Sequence, residues 1–310
     1  MPIHPLDILD LPVILKYRHQ VLPLDSARSA IHGNPLGFKL LFSYMNPRRE
    51  ISTAICRQKG RSLLGQVTHL DGSPHAKLSF IAPGDGLDAA AADLLDYLAK
   101  QAGEWGCLHV LAEVDEESSF FPLLRKAGYS MYAWQRIWKI THSLEKSGDD
   151  RWGETSETDL ISIQNLYAQI VPAMLQPIEP LPRQAVGMVC RQNGELQAFI
   201  HLTYGQAGIW IQPLIHPEAG CLSEWMSSLF SSIPNRFNQP VYVCVRSYQA
   251  WLENLLEDIG GEAGNRQAVM IKHLAAYKRV EEALPAKNKE PAWAKPATPV
   301  AQVKNNDGEL

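Results

Sequence analysis

Between Ala82 and Leu98 the chain reads APGDGLDAAAADLLDYL, directly after the strand-like run KLSFI. A strand, a glycine-bearing turn and a helix start can hold phosphate. The first amides of a helix lack intrahelical acceptors and share the positive end of the helix dipole. Small residues there let the backbone approach an anion closely. The same residues also make an ordinary alanine-rich helix start, with Asp85 and Asp88 near the N-terminus where acidic side chains are stabilised. His69 and His75 flank the turn HLDGSPH ahead of that strand. A histidine titrates near neutral pH and suits a general base, and a solvated turn is the plainer role. Glu113 closes the run LHVLAEV, Cys107 precedes it as a small apolar residue, and Tyr129 follows Gly128. No serine, cysteine or carboxylate combination marks another catalytic class.

The composition bounds the alternatives. The chain has 310 residues, enough for two domains with cores of their own. It carries 29 Lys+Arg against 33 Asp+Glu and shows no basic block, so nucleic acid and anionic membrane find little to bind. No apolar run reaches the roughly 20 residues that span a bilayer. The N-terminal MPIHPLDILDLP is acidic where an export signal is basic. Five cysteines lie scattered without a CxxC pair, which points to reduced thiols in the cytoplasm, with no disulfide framework and no metal site. The partner expected is a small molecule or a protein.

The elements that must position these residues occur twice. ICRQKG at 55–60 returns as VCRQNG at 189–194, and FIAPGDG at 80–86 lies over LIHPEAG at 214–220. LLRKAG (123–128) lies over LLEDIG (255–260), and QRIWKI (135–140) over QAVMIK (267–272). Four matches in order, at nearly one offset, indicate a duplication. Each copy opens with a helix, DLPVILKYRHQVL or DLISIQNLYAQIV, with Asp10 or Asp159 expected as N-cap. Two strands joined at KG or NG follow, then a strand ending in proline, a helix, a buried strand (CLHVLAEV or PVYVCVRS), a helix stopped at Gly128 or Gly260, and a last strand. The expected fold class is α+β, two units each with a mixed sheet flanked by helices. The polar stretch 143–159 separates domains at 1–145 and 146–280, and the Pro-, Ala- and Lys-rich residues 281–310 read as a disordered tail. The strand YAWQRIWKI alternates, which places Tyr132, Trp134, Arg136, Trp138 and Ile140 on one face, expected to form a buried contact between the two domains.

This order of elements resembles the GNAT superfamily of acyl-CoA-dependent N-acyltransferases, two domains in tandem over about residues 5–277. The segment LAEVDEESSFFPLLRKAGYSMYAWQRIWKI, at 111–140, is the most similar to the family. The resemblance implies acyl transfer from acetyl-CoA or another acyl-CoA to a small-molecule or peptide amine. Its pyrophosphate signature is Q/R-x-x-G-x-G/A, starting three residues after the strand's proline. Here those positions hold Gly86, Ala89 and Ala91, so the small residues persist and the polar one is lost. The implied cofactor-binding residues are Ala82, Gly86, Leu87, Asp88, Ala89, Ala90 and Ala91, acting through backbone N–H groups. The second copy has Gly220, Ser223 and Trp225, and the tryptophan fills the place of the phosphate. The family's usual Glu before the loop is missing, and its usual Tyr is Leu124 or Leu256. Glu113 and His75 stand as substitute bases and Tyr129 as a substitute acid. The alternative from another class is a catalytically silent tandem scaffold that binds a protein or metabolite.

Overall fold

The computed structural model describes residues 3–36, 49–58, 61–70, 72–85, 89–141, 151–182, 186–220, 222–234 and 236–274. The expected tail, 281–310, lies outside them.

In the first copy, β1 (Ile3–Pro5) precedes α1 (Leu11–Tyr17), β2 (Leu22–Pro23) and α2 (Ser26–His32). Then come β3 (Arg49–Gln58), β4 (Arg61–Leu70), β5 (His75–Ala82), α3 (Ala89–Glu104), β6 (His109–Asp115), α4 (Phe120–Lys126) and β7 (Ser130–Ile140). The second copy runs β8 (Trp152–Glu154), α5 (Leu160–Ile170), β9 (Gly187–Gln192), β10 (Glu195–Tyr204), β11 (Ile209–Ile215), α6 (Leu222–Ser232), β12 (Val241–Arg246), α7 (Leu252–Asp258) and β13 (Glu262–His273).

Local chemistry explains many of these boundaries. Asn193 (φ 53°) and Gly194 (φ 85°) supply the left-handed pair that a tight hairpin turn needs. Gly128 (φ 85°) and Gly260 (φ 79°) end α4 and α7 in the same conformation. Asp10 and Asp159 do not cap in the expected way. Each ends a 3-10 turn and reaches back three residues, so Asp10 Oδ2 accepts the Asp7 amide at 3.0 Å and Asp159 Oδ2 the Ser156 amide at 2.8 Å. Each Asp keeps the N-cap position of its α-helix, but its side chain closes the preceding 3-10 turn and makes no bond to the first helical turn. Their other carboxylate oxygens pair with Arg57 and Arg191, the arginines of the repeated CRQ. The duplicated motif is thus a duplicated ion pair pinning a helix start to a strand.

All strands join one sheet, in the order β1-β3-β4-β5-β6-β13-β7-β12-β11-β10-β9-β8, with β2 added on β5. The order is a palindrome of the two copies except at its centre, where the closing strands have changed places. β13 pairs with β6 of the first copy and β7 with β12 of the second, all antiparallel. β7 and β13 also pair with each other, and there Gln135 faces Gln267, its repeat equivalent, with Gln135 Nε2 donating to Gln267 Oε1 at 2.8 Å. A local twofold axis therefore runs between two glutamines that the duplication relates.

The core follows the exchange. Ala268 and Met270 of β13 pack into the first copy's core under α3 and α4, whereas Trp138 and Ile140 of β7 pack into the second copy's core under α6 and α7. On the other sheet face, α2 crosses from the first copy so that Ile31 packs on Trp210 and Cys244 of the second. Gly205 permits that approach, since a Cβ there would lie 2.3 Å from the Ile31 carbonyl oxygen. The expected alternation of β7 breaks at Tyr132. Register shifts there, with Val269 opposite Ala133 and Met270 opposite Met131, so Tyr132 is the extra residue of a bulge. Trp134 packs on the first core, and Arg136 Nη1 is bound by Glu253 at 2.7 Å.

Candidate functional site

Parallel strands β5 and β6 pair only at His75–Lys77 with His109–Leu111, and then diverge. β11 and β12 do the same beyond Ile211 and Val243. Diverging parallel strands expose main-chain groups at their carboxyl ends, where ligands of such sheets commonly sit. In this chain both openings are filled from within. Leu22 and Pro23 pair with Ile81 and Phe80 along β5, the Leu24 amide donates to Ser79 O at 3.0 Å, and Leu24 O accepts the Glu113 amide at 2.9 Å. The Gly84 amide is taken by Gln20 O at 2.8 Å. In the second copy Gln249 Nε2 donates to Pro213 O at 2.8 Å and Gln249 Oε1 accepts the Ile215 amide at 3.0 Å. Ser79 and Pro213 are repeat equivalents, so one strand position is satisfied by main chain in one copy and by a side-chain amide in the other.

The proposed phosphate loop is described only in part. Gly86, Leu87 and Asp88 lie outside the described residues. Ala82 and Ala91 are fully buried and Ala90 nearly so, all packed in apolar clusters. Ala89 is the first residue of α3. In the second copy Trp225 is buried in the core, where its carbonyl accepts Trp152 Nε1 at 2.9 Å. An acyl-CoA seated at the start of α3 would have to lead its arm into an opening that Leu24 already bridges, so the described residues do not fit that cofactor.

Beside the filled openings, on the α2 and α5 face, a cavity of about 160 Å³ is lined from both copies. His75 and Lys77 enter from β5, Glu113 from β6, Tyr132 from β7, His201 and Gln212 from β10 and β11, and Arg246 from β12. Tyr167, Glu179 and Tyr248 complete the polar wall. Glu113 lies near the carboxyl end of β6 and Arg246 ends β12, the corresponding strands of the two copies. Each continues an apolar strand into the seam, which explains why a charge could survive inside CLHVLAEV and PVYVCVRS.

Hydrogen bonds hold most of this wall. Glu179 receives Tyr132 OH and Tyr248 OH at 2.9 Å each, and Arg246 Nη2 at 2.8 Å. Arg246 also donates to Gln135. Glu113 Oε2 accepts the Ser26 amide at 2.9 Å. Burial pushes the Glu113 carboxyl up, but Lys77, Arg246 and the Ser26 bonds outweigh it and hold the group below its ordinary value. Asp25, and then Glu113, raise Lys77 against the opposing effect of burial, so it stays an ammonium. Burial first, and then Lys77, lower His75 to about 4. His201 is lowered by burial, and the Tyr132 and Tyr248 hydroxyls are raised chiefly by it.

The residues singled out from sequence are therefore dispersed. His75 and Glu113 meet at the cavity. Tyr129 is buried in the first core with its hydroxyl unpartnered and Lys272 over its ring, and it is absent from the cavity wall. His69 binds Glu50 and the Ser73 carbonyl at 2.9 Å each, a structural role in its turn. Cys107 is buried, and burial raises its thiol to about 11. Among the described residues no group of three or more His, Cys, Asp or Glu could hold a metal ion. Sequence reading missed Lys77, Glu179, Arg246, His201 and Tyr248. The signal available for Lys77 and Arg246 was a charge within an apolar strand. Burial and the Lys77 charge favour neutral His75, and Lys77, Arg246 and the Ser26 bonds favour ionised Glu113.

No protein-family model matches the sequence, and no curated protein matches it. Solved structures do match. One is a tandem GNAT protein from the clavulanic acid biosynthesis pathway, with TM-score 0.55 and 12% identity over 88% of this chain and 98% of that one. Another is a GCN5-related N-acetyltransferase from Sphaerobacter thermophilus, with TM-score 0.52 and 12% identity over 88% and 95%. A Drosophila protein matches at TM-score 0.50 and 15% identity over 88% and 99%. Identities this low speak for the fold, and that fold extends over both copies. The chain carries the GNAT fold twice, in tandem.

Proposed function

We propose that the chain is a small-molecule-binding protein on a tandem GNAT scaffold, with its ligand in the seam cavity and no acyl transfer through the strand openings. The observation that supports this reading is the internal filling of both openings, by Leu24 and by Gln249, beside a cavity lined by both copies. Domains 1–145 and 146–280 are then contributors to one site, with 281–310 as an appended tail. The test is a free-thiol assay for CoA release from acetyl-CoA over a panel of amines, with thermal melts of the same samples. No release and no shift in melting point are expected. Turnover above the rate without protein overturns the reading.

A second reading, acyl transfer from acetyl-CoA to an amine, draws on the fold shared with proteins described as acetyltransferases. It would use the backbone of Ala82 and of Gly86, Leu87, Asp88, Ala89, Ala90 and Ala91, and it requires Leu22–Leu24 to leave the β5–β6 opening. Ala91→Trp blocks that site. Turnover in the wild type that disappears in this variant, while its melting point stays near native, establishes the second reading over the first.

A further inference from the structure

We propose that the seam cavity takes a small carboxylic acid, its carboxylate on the Lys77 ammonium and its apolar body against Phe199 and Leu214. The inference rests on the cavity being the ligand site. Six charged side chains meet around it and the neighbouring cleft: Lys77, Arg28 and Arg246 against Asp25, Glu113 and Glu179. The signs balance, so net charge favours neither an acid nor an amine, and unused hydrogen-bonding capacity decides.

Five of the six are already bonded. Asp25 accepts the Arg28 amide, Glu113 the Ser26 amide, and Glu179 two tyrosine hydroxyls and Arg246. Arg28 donates to Gln66 and Ser79, and Arg246 to Gln135 and Glu179. Of the six side chains, all among the described residues, only that of Lys77 makes no hydrogen bond. Its nearest carboxylate oxygen, on Asp25, is 3.9 Å away, and its side chain is 36% exposed. The three N–H donors of that ammonium are the free capacity of the charged wall, and an ammonium with no acceptor is matched by an anionic oxygen pair. His201 and Gln212, opposite each other on β10 and β11, add neutral groups that accept or donate to a second polar substituent. Phe199, Leu214, Val171 and Leu181 form the apolar side, which rewards burial of a hydrocarbon body. A cavity of about 160 Å³ limits that body to a short chain or a single ring.

The experiment uses the full chain and matched probes: hexanoate and benzoate, their primary amides, and hexylamine and benzylamine. Affinity is measured by calorimetry and melting point by fluorimetry. Wild type is compared with Lys77→Met, Gln212→Leu and Leu214→Trp, and near-native melting of each variant is checked first. The expected result is stabilisation by acids alone, at least tenfold weaker binding in Lys77→Met, and loss of binding in Leu214→Trp, which fills the cavity. Gln212→Leu touches no hydrogen bond of the fold and weakens only acids that carry a second polar group, such as 4-hydroxybenzoate. Equal binding of acids by Lys77→Met, or no response to any acid, overturns the assignment. Amines that bind wild type and fail with Leu214→Trp overturn the acid while leaving the cavity as the site. Ligands whose binding ignores Leu214→Trp overturn the cavity reading itself.

Discussion

His75 begins β5 with its Nδ1 buried and unpartnered, beside the Lys77 cation. In the unfolded chain the imidazole titrates near 6.5, whereas in the fold it does so at about 4. Between those values the unfolded state binds more protons, so acid favours unfolding. This contribution to stability is complete above pH 6.5, falls as pH drops, and is exhausted near pH 4. His75→Gln is expected to flatten that slope. Urea midpoints at pH 7, 6, 5 and 4.5 measure it, and equal slopes in wild type and variant would contradict the assignment. Such a residue was legible in sequence as a histidine near a turn. Its neutrality was not, because both the burial and the nearby Lys77 charge that lower it arise only in the folded chain.

At the scale of elements, the two strand openings are closed by hydrogen bonds from within the chain. Gln249 is 2% exposed and satisfies a carbonyl and an amide that diverging strands leave without partners. Gln249→Ala leaves both groups buried, and a loss of about 2–6 kcal/mol is expected at roughly one to three per orphaned group. It is read as a lower denaturant midpoint with unchanged m value. A loss below about 0.5 kcal/mol would show that water reaches the opening and replaces the amide. Helices, the NG hairpin turn and glycine stops were readable because local rules set them: helical spacing, NG at 193–194, glycine at 128 and 260, whereas KG at 59–60 lies outside the described residues. Strand β2 and helix α2 carried no such pattern. The four residues from Leu22 to Asp25 take their conformation from the edges of β5 and β6 that they join.

Over the whole molecule, exchange of β7 and β13 makes each core depend on a strand from the other copy. Residues 1–276 accordingly form one compact body. The two copies are expected to unfold in a single transition. Trp105, in the first copy, and Trp210, in the second, report on it when each is kept as the sole tryptophan probe by Trp→Phe substitution elsewhere. Coincident denaturant curves are the expected outcome, and two separated midpoints would mean that each core stands alone. Deleting 262–310 removes β13 and should unfold the first copy as well as the second, read as loss of the Trp105 signal change.

The repeat, the order of its elements and the tandem GNAT-like fold were present in the sequence itself. They rest on local propensity, turn chemistry and self-similarity, each encoded within a few tens of residues. The repeated CRQ and the glutamines at 135 and 267 even marked two structural contacts, though not their purpose. Only the tertiary structure decided which copy's strand each closing strand pairs with. Both strands offer the same antiparallel ladder to either partner, so the choice falls to packing. The bulk of Trp138 and Ile140 fills the second core, and Ala268 and Met270 fill the first. That same choice brings Arg246 to one seam with Lys77 and Glu113, each more than a hundred residues from it in sequence.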